Sequence, residues 1–223
     1  MSEITGLQQP YYDLSNPIWE GMPFFPASFP AEIEQVSSVD QQGANVHKMT
    51  IATHHGTHVD APRHYFNEGT PLEELSLHKF IGEGVVLDLT FKPIGSGIGA
   101  ADLERYASLV HERDIVILFT GCSEHMGETG IDAKYTYLDG TGAEWLLAKK
   151  VKSVGIDFFS IDQYGDRSSP AHNALLGNGI PLIEEISAEA RKLAGRRIYV
   201  ICLPLRVTAG DGAPARVIAY PME

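Results

Sequence analysis

Thr53-His54-His55-Gly56-Thr57-His58-Val59-Asp60-Ala61-Pro62-Arg63-His64 gathers four of the chain's nine histidines and a carboxylate. Solvated loops have little reason to concentrate imidazoles, and neutral imidazole and carboxylate are good ligands for zinc and similar divalent ions. His54, His58, Asp60 and His64 all have even numbers. In an extended chain successive side chains alternate, so these four share one face. In a helix, at about 100° per residue, Asp60 and His64 swing away from His54 and His58. Gly56 and Pro62 are poor helix residues, and Thr53, Thr57 and Val59 are β-branched. The stretch therefore reads as a strand running into a loop. A straight strand would separate His54 from His58 by about 13 Å, near the limit of what two imidazoles can bridge to one ion. The backbone must bend between them, and Gly56 is able to bend it. Pro62 then stiffens the exit toward His64. The pattern is that of a metal site, and it points to a hydrolase.

Upstream, Glu32 to Val39 and Val46 to Thr53 alternate as strands do, with Gly43 near their turn. Residues 10–30 are rich in proline and aromatics, including Trp19, Phe24, Phe25 and Phe29. Such a segment is an ordered arm crossing an apolar surface: its own core, a partner subunit, or the rim of a pocket for a flat substrate. Downstream, Leu72 to Phe80 reads as a short helix or helical turn. Val85 to Leu89 and Asp114 to Thr120 are apolar runs of strand length, buried on both faces. Ala100 to Arg113 reads as a helix with Leu103, Ala107 and Val110 on one stripe. The glycines of Gly95 to Gly99 match no nucleotide-binding loop.

Cys122, Ser123 and His125 follow a strand exit without a Gly-x-Ser-x-Gly elbow, and read as a loop lining the pocket. Gly140 to Lys152 is a helix and Ser153 to Asp157 a strand. Asp157, Ser160 and Asp162 either orient ligand imidazoles or cap turns. Pro170, capped by Ser169 or Ser168, starts a helix with His172 pointing outward from its first turn. Ile180 to Glu184 is strand-like, Ile186 to Gly195 a helix, and Arg197 to Pro204 with Arg216 to Tyr220 a hairpin.

The pattern His-x-Gly-Thr-His-x-Asp-x-Pro-x-His resembles the signature of the cyclase-like metal-dependent hydrolases, which include bacterial kynurenine formamidase (arylformamidase) and isatin hydrolase. Other segments are similar in the same order: Asp13-Leu14-Ser15 with Pro17, Phe80-Ile81-Gly82, Gly155-Ile156-Asp157 with Ser160-Ile161-Asp162, and Asp211-Gly212-Ala213-Pro214-Ala215-Arg216. The resemblance implies that His54, His58 and Asp60 hold one ion, and that Asp60, His172 and Glu184 hold a second. Taken alone, His172 and Glu184 would be a helix-start histidine and a strand-end carboxylate. The resemblance also implies His64 as the acid/base residue and a homodimer or homotetramer. It implies an α/β fold with a central mixed, largely antiparallel barrel-like sheet and outer helices, of the swivelling β/β/α kind. The residues alone say only α/β with a mixed sheet. His55 is an unused ligand type that alternation turns away from the site.

The length of 223 residues fits a single domain, residues 1–223, with the arm at about 10–30. A net charge of −12 without a basic stripe speaks against nucleic acid. No stretch is apolar enough to span a membrane, Met1 to Pro10 lacks the features of a secretory signal, and the two cysteines are too few for a disulfide framework. A cytoplasmic protein is expected. The favoured activity is hydrolysis of an amide bond in a small aromatic substrate, N-formylkynurenine to kynurenine and formate, as in tryptophan catabolism. The alternative is ring opening of isatin, a lactone or a cyclic imide. A non-catalytic metal-binding module ranks below both, because structural zinc sites are usually closed and cysteine-rich. Zinc is the expected cofactor, as one or two ions, with manganese as the alternative.

Overall fold

The computed structural model describes residues 11–26, 28–126 and 134–222; Met1 to Pro10, including the start of the arm and the expected absence of a signal, lies outside them. The strands are β1 Tyr12–Asp13, β2 Glu32–Ser37, β3 Val46–Thr50, β4 His58–Asp60, β5 Ile81–Asp88, β6 Gly97–Ile98, β7 Ile115–Phe119, β8 Tyr137–Leu138, β9 Ser153–Ile156, β10 Leu182–Glu184, β11 Arg197–Pro204 and β12 Gly212–Pro221. The α-helices are α1 Val39–Gln42, α2 Ala100–Leu103, α3 Gly140–Ala148 and α4 Pro170–Gly177.

Seven strands close into a barrel-like ring in the order β12-β11-β5-β7-β9-β10-β4, with β4 pairing back onto β12. The β5–β7, β7–β9 and β9–β10 pairs are parallel, and the other four are antiparallel. The barrel is therefore mixed, as expected. β2 and β3 form a separate antiparallel hairpin, with Gly43 at a φ of 81° closing α1 between them.

The apolar runs are two-faced because both sides of the sheet are covered. Ile115, Ile117, Phe119, Val86, Val59 and Ile183 enter one cluster with Val200 and Val217. Val116, Leu118, Val85, Leu87 and Leu182 enter a second cluster with Leu103, Leu146 and Leu175 from α2, α3 and α4. Alternation thus sends one set of side chains among the barrel strands and the other under the helices.

Three local expectations are corrected. Ala100 to Arg113 is not one helix: α2 ends at Leu103 and a 3₁₀ turn, Glu104–Tyr106, follows. Leu103 and Val110 are buried as the stripe required, but the backbone bonds elsewhere. The Ala107 and Leu109 carbonyls accept from Lys149 Nζ and Arg197, which substitute for helical donors. Ile186 to Gly195 contains a 3₁₀ helix, Ala188–Leu193, whose Ala190 and Leu193 are buried. A repeat of three aligns those two side chains. Ser169 stands at the N-cap of α4, as one of the two expected serines, but makes no side-chain cap bond; Asp162 instead accepts from Ala171 N–H (2.8 Å) and His172 N–H (3.0 Å).

Candidate metal centre

The site is built on three adjacent strands. β4 lies between β10 and β12, with Glu184 opposite His58 and Gly212 opposite Asp60. Val59 and Ile183 point into the barrel cluster, so His58, Asp60 and Glu184 take the other face, toward α4. The chain reaches this strand through the expected bend, with Gly56 at a φ of 66°. A Cβ there would meet Ile18 Cγ1 at 3.0 Å, so glycine is required by conformation and by space.

His58, Asp60, His172 and Glu184 are all buried. His58 Nε2 lies 3.3 Å from Asp60 Oδ1 and 3.7 Å from Glu184 Oε2. His172 Nε2 lies 3.5 Å from Asp60 Oδ2 and 3.5 Å from Glu184 Oε1. The ligand–ligand edge of a tetrahedron with zinc-type bond lengths is about 3.3–3.6 Å, so these separations suit one small cation in their midst. Among the described residues, two atoms at this centre, His58 Nε2 and Asp60 Oδ2, are buried without a hydrogen-bond partner. Buried polar atoms are seldom left so. The donor set therefore fits a divalent ion.

The ring orientations are set from behind. His58 Nδ1 donates to the Gly56 carbonyl at 2.7 Å, and His172 Nδ1 to Asp162 Oδ2 at 2.6 Å, so each presents Nε2 to the centre. Glu184 Oε1 accepts from Ile161 N–H at 2.7 Å. His172 does not point outward as expected from its helix position; it is buried beneath Tyr65, whose ring stacks on it at 4.4 Å. Of the three polar residues left open, Asp162 orients a candidate ligand, whereas Asp157 accepts from Thr120, Gly121 and Ser123 and shapes a turn. Replacing Asp162 by asparagine removes the charge that holds His172 Nδ1–H. We expect metal affinity to fall about 10–100-fold, read by competition with a chromophoric chelator.

His54 stands differently. Its Nδ1 is 2.7 Å from Asp60 Oδ1 and its Nε2 3.0 Å from Asp211 Oδ2, so it lies between two carboxylates. His64 stacks on it at 4.0 Å, with Nδ1 3.8 Å from Asp211 Oδ2. Ligand-type atoms of His54, Asp60 and His64 form one close group, and those of His58, Asp60 and Glu184 another. All six residues singled out in the sequence therefore converge, with Asp60 shared.

Burial disfavours the charge on His54, but Asp60 and Asp211 outweigh it and raise its pKa to about 10. Burial, then the Asp60 charge, push Glu184 up to about 8. Both groups bind a proton more tightly folded than unfolded. Their contribution to stability is complete below the unfolded values and is lost as pH rises through about 8 and about 10. A cation competes with those same protons. The metal-free protein should therefore melt lower at pH 9 than at pH 7, while the rise in Tm on adding zinc should be larger at pH 9. Differential scanning fluorimetry at both pH values, with and without chelator, checks both signs.

A cavity of about 580 Å³ opens over these residues, walled by Phe25, Phe29, Tyr65 and Phe159. Three arm residues, Phe25, Ser28 and Phe29, thus reach the pocket, while Leu14 and Met22 are core; Trp19 does not line it. Cys122, Ser123 and His125 are not on its wall either, contrary to expectation. Cys122 packs with Phe158 and Phe159, and Ser123 Oγ donates to Asp157. His55 turns away from the centre as alternation required, accepting from Ala52 N–H at 2.7 Å and facing Phe24 and Phe29. The reading of the residues gave no role to Asp211, Tyr65 or Glu185. The signal for Asp211 was the family-like segment Asp211-Gly212-Ala213-Pro214-Ala215-Arg216, in which Gly212 packs so closely that a Cβ would strike Val59 O at 2.6 Å and His54 Cε1 at 2.8 Å.

A family model described as putative cyclase matches residues 12–163. A kynurenine formamidase of Bacillus cytotoxicus is 28% identical over 213 residues, covering 95% of this chain and 98% of the relative. The solved structure of a potential metal-dependent hydrolase with cyclase activity aligns with a TM-score of 0.81 and 25% identity, covering 96% of this chain and 99% of that one. An isatin hydrolase bound to the product analogue thioisatinate aligns with a TM-score of 0.84 at 20% identity, covering 95% and 92%, a likeness of fold.

Proposed function

Since the chain belongs to the putative cyclase family, we propose that it is a metal-dependent hydrolase that opens the carbon–nitrogen bond of a small aromatic amide, an arylformamidase by preference. The observation that carries this reading is the pair of orphaned buried atoms, His58 Nε2 and Asp60 Oδ2, at cation-binding separations beneath an aromatic cavity. His58, Asp60, His172 and Glu184 would hold an ion, and His54 with Asp60 would complete the set or begin a second site. Zinc suits the imidazoles and carboxylates, with manganese the alternative. Such an ion supplies Lewis acidity, acidifying water and polarising a carbonyl oxygen.

The protein's own groups do the rest. Phe25, Phe29 and Phe159 hold a flat ring and exclude water around it. His64, at the side of the cage, takes a proton from the attacking water and returns it to the leaving nitrogen. Asp211 steadies both His54 and His64. Ring opening of isatin is the second reading, favoured by the shared fold and by a cavity that accepts a bicyclic ring. Homodimer formation and a cytoplasmic site of action in tryptophan catabolism follow from the same reading. Among the described residues no helix is long and apolar enough to cross a membrane.

The test is metal analysis of the purified protein joined to an absorbance assay of N-formylkynurenine and isatin, before and after chelation. Turnover that chelation abolishes and zinc or manganese restores is expected. Bound metal with neither substrate turned over would remove the arylformamidase and isatin readings together.

A further inference from the structure

Glu185 follows a candidate ligand directly, and nothing above uses its side chain. Its backbone is pinned at three points. Its N–H donates to Phe158 O at 2.9 Å, and its carbonyl accepts from Thr57 Oγ1 at 2.6 Å and Asn16 Nδ2 at 2.7 Å. These bonds hold it at a φ of 55°, the left-handed region that favours glycine. Glycine would satisfy the same three bonds without strain, so the backbone does not explain a glutamate here. The side chain is only 4% exposed, yet it lines the cavity with His54, His58 and the aromatic wall.

Among the described residues no donor reaches the Glu185 carboxylate. The charged groups facing it are His58 and Glu184. The Tyr65 hydroxyl on the same cavity is engaged elsewhere, donating to Ser169 Oγ at 3.1 Å. The carboxylate therefore faces the cavity instead of being tied to its wall, and strain concentrated at such a position marks function.

We propose that Glu185 is a specificity residue whose carboxylate accepts a hydrogen bond from the substrate N–H beside the reacting carbonyl, so that the site selects amides and lactams over esters and lactones. The assignment deepens the hydrolase reading above and rests on it for the reaction. With a carbonyl directed at the cage, the atom bonded to it lies in the cavity that Glu185 lines together with His58 and His172. In an amide that atom is an N–H, which supplies the missing donor. In an ester it is an oxygen, whose lone pairs would face the carboxylate. A site built to pair with a polar group rejects the analogue lacking it far more strongly than an apolar pocket rejects a missing methylene.

The test compares formanilide with phenyl formate in the wild-type, Glu185→Gly and Glu185→Gln proteins, each loaded with zinc and assayed for metal content. Glycine suits the backbone at this φ, so Glu185→Gly should fold and melt no lower than wild type. We expect Glu185→Gly to lower kcat/KM for formanilide by about 10–1000-fold and to change that for phenyl formate by less than about 3-fold. Glu185→Gln, which keeps an acceptor oxygen, should fall between. An equal loss on both substrates would show a merely structural role, and no loss on either would show none; each overturns the assignment.

Should the wild-type protein turn over neither compound, the hydrolase reading fails by itself. Glu185 is then decided by calorimetric binding of 2-aminoacetophenone and acetophenone. Tighter binding of the amine by wild type, lost in Glu185→Gly while acetophenone is unaffected, supports the assignment. Equal binding of the two by wild type, or measurable binding of neither, overturns it.

Discussion

His64→Ala should lower kcat by about 100- to 10,000-fold while leaving metal content unchanged, the range in which a positioned general acid–base group contributes. His64 is well placed for the role. Pro62 opens the 3₁₀ turn Pro62–His64, which fixes the ring against His54 at 4.0 Å and 6.0 Å from the His172 ring. It stands close to the cage yet partly open to the cavity, with 31% of its side chain exposed, where a proton can reach water or substrate. The four buried groups at cation-binding separations do not include it. Metal analysis and single-turnover kinetics on the same preparation separate the possibilities. Loss of metal in His64→Ala would make His64 a ligand, and full activity would end the proton-transfer role.

Asp60→Asn should be more severe, abolishing measurable turnover and lowering metal affinity by at least about 1000-fold. Asp60 is fully buried and is the group that both halves of the site share. Its Oδ1 meets His54 Nδ1 at 2.7 Å and His58 Nε2 at 3.3 Å, while Oδ2 faces His172 Nε2 at 3.5 Å. Its pKa is held well below the usual carboxylate range: burial opposes this, but the His54 charge and bonds to the surrounding imidazoles prevail. Asparagine keeps the shape and removes the charge. An ion then loses its shared anionic ligand, and in the metal-free protein the raised histidines lose their counter-charge. Breaking a buried pair by removing one partner costs about 3–5 kcal/mol, so chemical denaturation of the metal-free variant should show a loss of that order. Full metal occupancy in Asp60→Asn would remove Asp60 from the ligand set.

What was legible beforehand follows from local rules. The even spacing of His58 and Asp60, the bend at Gly56 and the two-faced burial of Ile115–Phe119 all depend on the period of an extended chain or on the freedom of one glycine. Helix α3 was legible in its start at Gly140, where Asp139 caps it through Thr141 and Gly142, but it ends at Ala148, before the expected Lys152. The barrel-like sheet and the later pair His172 and Glu184 came through resemblance to a family; no local pattern contains them.

The tertiary structure alone decided which side chains face one another across the sheet. Glu184 meets His58 because β10 pairs with β4 in one register, and Asp211 meets His54 because β12 flanks the same strand on its other edge. Register is a property of two strands together, and a shift of one residue would turn the carboxylate to the opposite face. Asp162 likewise caps α4 from outside it, displacing the local Ser169 that the helix-start rule selected. Beyond the early end of α2 at Leu103, side chains of Lys149 and Arg197 supply donors to the Ala107 and Leu109 carbonyls. The His54–Asp211 and Arg197–Leu109 bonds join residues 157 and 88 apart in the chain, so their energy enters only when those distant segments meet. The sequence by itself determined which groups could bind a metal and where the chain must bend to present them; the closed sheet determined which of them meet, and set Glu185 on the cavity wall beside them.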